Sequence, residues 1–187
     1  MNELIDQQGP VNSNASPWPI ALRHGLLAAM IMIVIGLAAH LAGFTDYSGK
    51  GASNWIITLI NWAVLITANM MVVKKYRDEL LGGFINFGKG FKAGFQLQLV
   101  IALITLVWSF LFFTVIEPNL MQEILDMSRE QMMENQGMSE ADADQALNMM
   151  KWMFTPVAMS IIAGVSSFVT GLIIALIVAA VMKKEVK

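Results

Sequence analysis

Nine of the fifteen methionines fall between Met121 and Met159, with Met149, Met150 and Met153 close together. Thioethers bind Cu(I), so a copper site is the first chemistry this pattern suggests. The chain has no cysteine, and neither His24 nor His40 lies in that segment to complete such a site. Methionine also forms helices well and fills irregular gaps. Its placement here, largely at apolar helical positions, makes packing the expectation and a metal site not. The segment Glu117–Lys151 carries eight acidic residues against two basic ones. Calcium needs a cage of about six to eight oxygens, which one helix face does not provide. Gly83-x4-Gly88-Lys89 has the outline of a phosphate loop, but Gly90 stands where that motif needs Ser or Thr. His24, beside Arg23, reads as an interfacial anchor, and His40 as a polar cap or a donor between helices. Zinc would require further ligands beside either one. No catalytic, cofactor or metal residue is expected.

The elements that must carry these residues are set by hydropathy. Gly25–Thr45, Gly51–Val73, Ala93–Ile116 and Trp152–Met182 contain no Asp, Glu, Lys or Arg. A helix of about 20 such residues crosses a hydrocarbon core of about 30 Å. Hydrophobic residues make up 56% of the chain and charged ones 14%, against about 25% charged in soluble domains. The expected fold is an all-α membrane protein, a four-transmembrane-helix bundle with spans at about 20–45, 52–73, 93–116 and 155–182. An extramembrane acidic helical hairpin, 117–154, joins spans three and four. Residues 1–18 read as a polar tail without the basic start of a signal peptide, and 19–187 as a single membrane domain.

Orientation follows from the cations. Arg23, Lys74, Lys75, Arg77, Lys89, Lys92, Lys183, Lys184 and Lys187 fall on one side, and Lys50, Arg129 and Lys151 on the other. Lys and Arg are retained in the cytoplasm, so both termini are expected there. Before span three, Phe84, Phe87, Phe91 and Phe95 recur at helical spacing and predict a short amphipathic interfacial helix.

Within the hairpin, Met121, Ile124, Leu125, Ser128 and Met132 share one side of a helix, and Glu123, Asp126, Glu130 and Glu134 lie opposite. Gly137 is a helix stop, and Ser139 with Asp142 is a weak capping box that opens a second helix running to about Phe154. Pro156 is expected to bend that helix as it enters the bilayer. The hairpin thus offers Glu123, Asp126, Glu130, Glu134, Met149 and Met150 as candidate partner-binding residues. In span four, Ala163, Ser167, Gly171, Ala175 and Ala179 form a small-residue ridge for close helix packing. Asn61, Thr67, Asn69, Gln96, Gln98, Thr105 and Ser109 are candidates for hydrogen bonds between helices.

The stretches GGFINFGKGFKAGF (Gly82–Phe95), the acidic run Glu117–Pro156 and GLIIALIVAAVMKK (Gly171–Lys184) together resemble the bacterial domain-of-unknown-function family numbered 4199. That family comprises small four-span proteins found mainly in Bacteroidota. The resemblance covers roughly Pro19–Lys184 and implies the inner membrane of a Gram-negative cell, with the hairpin facing the periplasm. It brings no catalytic residues.

No ionisable group lies deep in a span, where coupled carriers place theirs, and no acids, bases or ligands converge as an enzyme requires. The chain is therefore expected not to be an enzyme. The sequence favours a non-catalytic subunit or scaffold that binds a partner through the hairpin; the alternative is a transporter or lipid-linked-sugar flippase component. The expected partners are the lipid bilayer and a protein, either a different one or a second copy of this chain, with no nucleic acid and no cofactor.

Overall fold

A computed structural model describes residues 15–45, 47 and 52–184. The acidic start of the tail, Lys50 and Lys187 lie outside those residues. Six α-helices follow in order: α1 (Trp18–Leu41), α2 (Ala52–Lys75), α3 (Phe87–Leu111), α4 (Leu120–Gln136), α5 (Glu140–Met150) and α6 (Pro156–Met182). Two five-residue π turns, Tyr76–Leu80 and Phe112–Ile116, continue α2 and α3, and a 3-10 turn, Lys151–Phe154, links α5 to α6. Four stretches, Trp18–Leu41, Asn54–Leu80, Phe87–Ile116 and Pro156–Met182, are long and apolar enough to cross a membrane. Their outward rows carry large exposed apolar side chains, among them Leu27, Val34, Leu59, Leu103 and Ile177. Water would not tolerate that surface, and lipid does. The protein is an all-α, multi-pass membrane protein.

Local chemistry sets the boundaries. Helix α1 stops at Leu41, short of Thr45, because Gly43 takes φ 71° and closes a Schellman turn: its N–H reaches the His40 carbonyl and that of Phe44 reaches Ala39. Helix α3 starts at Phe87 rather than near residue 93. Asn86 caps it, its Oδ1 accepting the Lys89 N–H at 2.9 Å. Phe87, Phe91 and Phe95 therefore belong to α3 itself, and the separate interfacial helix expected from their spacing is not formed. Lysines at 89 and 92 do not interrupt α3, where Lys89 is half-buried and Lys92 exposed.

Pro156 does not bend a continuous helix. It is the first residue of α6, where its missing N–H costs nothing, and Thr155 Oγ1 accepts the Ala158 N–H at 3.3 Å.

The chain divides into two compact units. The first comprises, among described residues, 15–32, Ile60–Ala102 and 167–184. Its core is Ala21, Ala28, Leu65, Val72, Val73, Tyr76, Leu97, Ile101, Ile174 and Val178 with their neighbours. Ile85 and Lys184 exchange both backbone hydrogen bonds, at 2.9 and 2.8 Å, which ties the end of α6 to the loop before α3. The second unit, Ile33–Leu59 and Leu103–Ser166, holds α4, α5 and the helix ends that lead to them.

Candidate functional site

The second unit contains a polar side-chain constellation that joins distant parts of the chain. His40, in the last turn of α1, places Nε2 2.8 Å from Glu117 Oε1, and the Tyr47 hydroxyl lies 2.9 Å from its Nδ1. A carboxylate only accepts, so a neutral imidazole here carries its hydrogen on Nε2 and accepts from the Tyr47 hydroxyl at Nδ1. The π turn Phe112–Ile116 aims Glu117 at this point. Its N–H closes on the Phe112 carbonyl at 2.8 Å, and the Phe112 ring stands edge-on to the imidazole at 5.2 Å. Burial raises the Tyr47 pKa, and the charges of Glu117 and Glu123 add to the rise. The phenol therefore stays protonated and keeps donating.

Beside the imidazole lies a cavity of about 310 Å³, walled by Thr45, Asn54, Thr58, Trp108, Ser109 and Phe112 among others. Both imidazole nitrogens are engaged, so His40 acts here as a strut between the end of α1 and the end of α3. That matches its reading as a donor between helices. Its partners were not legible, because 77 residues separate His40 from Glu117 and no periodicity links them.

Helices α4 and α5 form the acidic hairpin. Gly137, at φ 64°, ends α4 in the left-handed conformation, and Ser139 caps α5, its Oγ accepting the Asp142 N–H at 3.3 Å. The Ser139 hydroxyl in turn donates to Asp142 Oδ2 at 2.6 Å, so this cap is a tighter local loop than its sequence suggests. Leu120, Met121, Ala143 and Leu147 are the buried apolar residues. Arg129 holds the two helices together: Nη2 donates to Glu140 Oε1 at 2.9 Å and to Asp144 Oδ2 at 2.8 Å. Its Nε lies 2.7 Å from Asp144 Oδ1, too oblique for a hydrogen bond but a close ion-pair contact. Asp144 first, then Glu140, raises the Arg129 pKa.

The consequence is an asymmetric charge pattern. Glu140 and Asp144 are both paired with Arg129, whereas Glu123, Asp126, Glu130 and Glu134 are exposed and enter no ion pair among the described residues. Asp126 only accepts from Gln122, at 3.1 Å. Met149 and Met150 are exposed as well, next to an exposed Trp152. Arg129→Ala should leave the two carboxylates of α5 facing each other without a cation. Limited proteolysis of the hairpin should then proceed several-fold faster than in the native protein. An unchanged cleavage rate would show that apolar contacts alone hold α4 to α5.

A family described as a protein of unknown function, DUF4199, matches residues 23–184. The chain belongs to the DUF4199 family. No curated protein and no solved structure matches it.

In this DUF4199 member the small-residue ridge is divided between the units. Ala163 lies in the second; Ser160, one turn before it and not part of the ridge, is buried there and donates to the Pro156 carbonyl at 2.5 Å. Ser167, Gly171, Ala175 and Ala179 lie in the first, and the last three are buried against α3. Gly90 faces Ala179, Gly94 faces Ala175, and Gln98 lies over Gly171. Two rows of small residues, four apart and running in opposite directions, thus interlock. The ridge was visible in the sequence, but which helix it meets was not.

The polar residues of the spans behave differently from expectation. Asn69, wholly buried, donates to the Leu65 carbonyl of its own helix at 2.8 Å rather than across helices. The buried Gln98 amide has no hydrogen-bond partner among the described residues. No group of three or more His, Cys, Asp or Glu is placed to hold a metal among them either.

Proposed function

We propose that the protein is a non-catalytic inner-membrane subunit or scaffold that binds a protein partner through the α4–α5 hairpin. In this reading the hairpin lies outside the bilayer in the periplasm, and both termini are cytoplasmic. The observation that carries it is the row of exposed acids free of ion pairs, Glu123, Asp126, Glu130 and Glu134, on a hairpin that also exposes Met149 and Met150. Carboxylates left free of ion pairs steer and orient a basic partner, and methionines adapt to an apolar contact. The distribution of cations supports the orientation.

The test has two arms. Single cysteines at Gly83 and Asn135, in a chain that has none of its own, would be labelled with an impermeant maleimide on spheroplasts. Labelling is expected at Asn135 and not at Gly83. The native protein and a variant with Glu123, Asp126, Glu130 and Glu134 changed to Gln would then be purified in mild detergent. The co-purifying partner should be lost from the variant, and from the native complex as salt rises, since exposed charges are screened over about 8–10 Å. The reverse labelling pattern, or equal retention by the variant, would sink this reading.

A second reading, a component that moves a solute or lipid-linked sugar, draws on the cavity beside His40, whose wall mixes hydroxyl, amide and aromatic groups. Transport by the purified protein alone in liposomes would favour it.

A further inference from the structure

The first unit contains an apolar groove of about 400 Å³ between α1 and α2. From α1 it is lined by His24, Leu27, Ala28 and Ile31, and from α2 by Ile60, Ala63, Val64, Thr67, Ala68 and Met71. Leu27, Ile31, Ile60 and Met71 at its rims are all exposed, so it opens sideways toward the surrounding lipid. From Ile60 to Met71 the groove follows α2 for about 16 Å at 1.5 Å per residue. One leaflet of a bilayer core of about 30 Å is about 15 Å deep. The groove therefore has the length of one acyl chain lying in one leaflet.

The chemistry changes at one end only. His24 and Met71 both line the groove, so the start of α1 and the end of α2 meet at that end. Lys74 and Lys75 follow Met71 at three and four residues, the spacing of one helical turn. Arg23 precedes Leu27 by four residues on the same face of α1. None of these three cations enters an ion pair in the described structure. Of the nearby acids, Asp78 is already held by Arg77 at 2.7 Å, and Glu79 lies one turn beyond Lys75. A mostly apolar slot that ends in unpaired cations at headgroup depth matches an anionic amphiphile.

We propose that the α1–α2 groove is a specific seat for one anionic phospholipid, its acyl chain along Ala63, Thr67 and Ala28 and its phosphate on Arg23, Lys74 and Lys75. A second copy of this chain fits less well. Two copies inserted with the same orientation would bring their cationic clusters to the same depth, where like charges repel. The inference does not depend on the hairpin or its partner.

The test uses the full-length protein in detergent with phosphatidylglycerol or phosphatidylethanolamine as probe, and native mass spectrometry reads the bound lipid. Phosphatidylglycerol should be retained over phosphatidylethanolamine. Each change among Arg23→Gln, Lys74→Gln and Lys75→Gln should lower its retention roughly five-fold, the effect of about 1 kcal/mol per basic residue at a lipid surface. Thr67→Trp should fill the slot and reduce retention of both lipids. Thr67 is exposed, so lipid-free thermal unfolding should match the native protein; Ala63→Phe, also at an exposed position, serves if it does not. Equal retention of the two lipids by the native protein would overturn the proposal. So would unchanged retention after the slot is filled, or a native dimer that the filled variants lose, which would give the groove to a second copy.

Discussion

Replacing Gly94 by leucine should leave little folded protein, the largest loss expected of any single substitution in the membrane helices. A carbon at the Cβ position of Gly94 would stand 2.7 Å from Ala175 Cβ and 2.9 Å from Asn69 Oδ1. Neither neighbour yields easily. Ala175 Cβ is fixed to the α6 backbone, whose Cα lies 3.4 Å from the same point, and Asn69 is held by its bond to the Leu65 carbonyl. Overpacking a core ordinarily costs about 1–3 kcal/mol, and leucine adds a branched group that must part α3 from α6. In lipid no hydrophobic effect compensates for the lost contact, because association rests on packing. Gly36→Leu is the control, since nothing lies within 4 Å of a Cβ there. Thermal unfolding in detergent should show Gly36→Leu near the native value and Gly94→Leu far below it, with Gly171→Leu between them because the Gln98 side chain can turn aside. Equal unfolding temperatures for the Gly94 and Gly36 variants would mean that the two helices do not approach as closely as described.

The spans were legible because the bilayer imposes one length on any crossing helix and charged residues mark its limits. Gly137 and Ser139 were legible because a left-handed stop and an N-cap are local events decided by one residue each. The start of α3 is masked for a local reason: Asn86 is a good cap, but the lysines at 89 and 92 interrupt the apolar run that would reveal the helix following it. The four-residue spacing of small residues marks the ridge of α6, and Gly90 and Gly94 on α3 share that spacing. That they meet requires the antiparallel register of α3 and α6, which no spacing within either helix records. The same holds for Glu117 and Tyr47 on His40. The π turn that aims Glu117 places five residues where α-helical periodicity would put the side chain elsewhere. The exposed hairpin acids could be named in advance, but Arg129 decides which acids are free, and its choice of Glu140 and Asp144 spans eleven and fifteen residues across a turn.

The hairpin gives the second large effect, at Leu147. Helix α5 has eleven residues, and isolated helices shorter than about 12–15 residues are marginal in water. On the proposed placement outside the bilayer, α5 therefore persists only because it packs on α4, and its buried apolar side chains are Ala143 and Leu147. Removing a buried leucine costs about 2–5 kcal/mol in a well-packed core. Aspartate at that position also places a new charge beside Asp144 and Asp126, which line the same recess as Leu147. Leu147→Asp should thus melt the hairpin. Even the lower bound, about 2 kcal/mol, raises the opened population roughly thirty-fold, and limited proteolysis between α4 and α5 should accelerate accordingly. The protein should still resist alkaline extraction from membranes, because none of the four apolar stretches includes Leu147. Leu147→Met, which keeps volume and apolar character, should cost little and separates loss of packing from mere change at the site. Rapid cleavage of the native hairpin would show that α5 is not held on α4 at all. Slow cleavage of both variants would show that the Arg129 ion pairs, rather than the buried leucine, hold the two helices together.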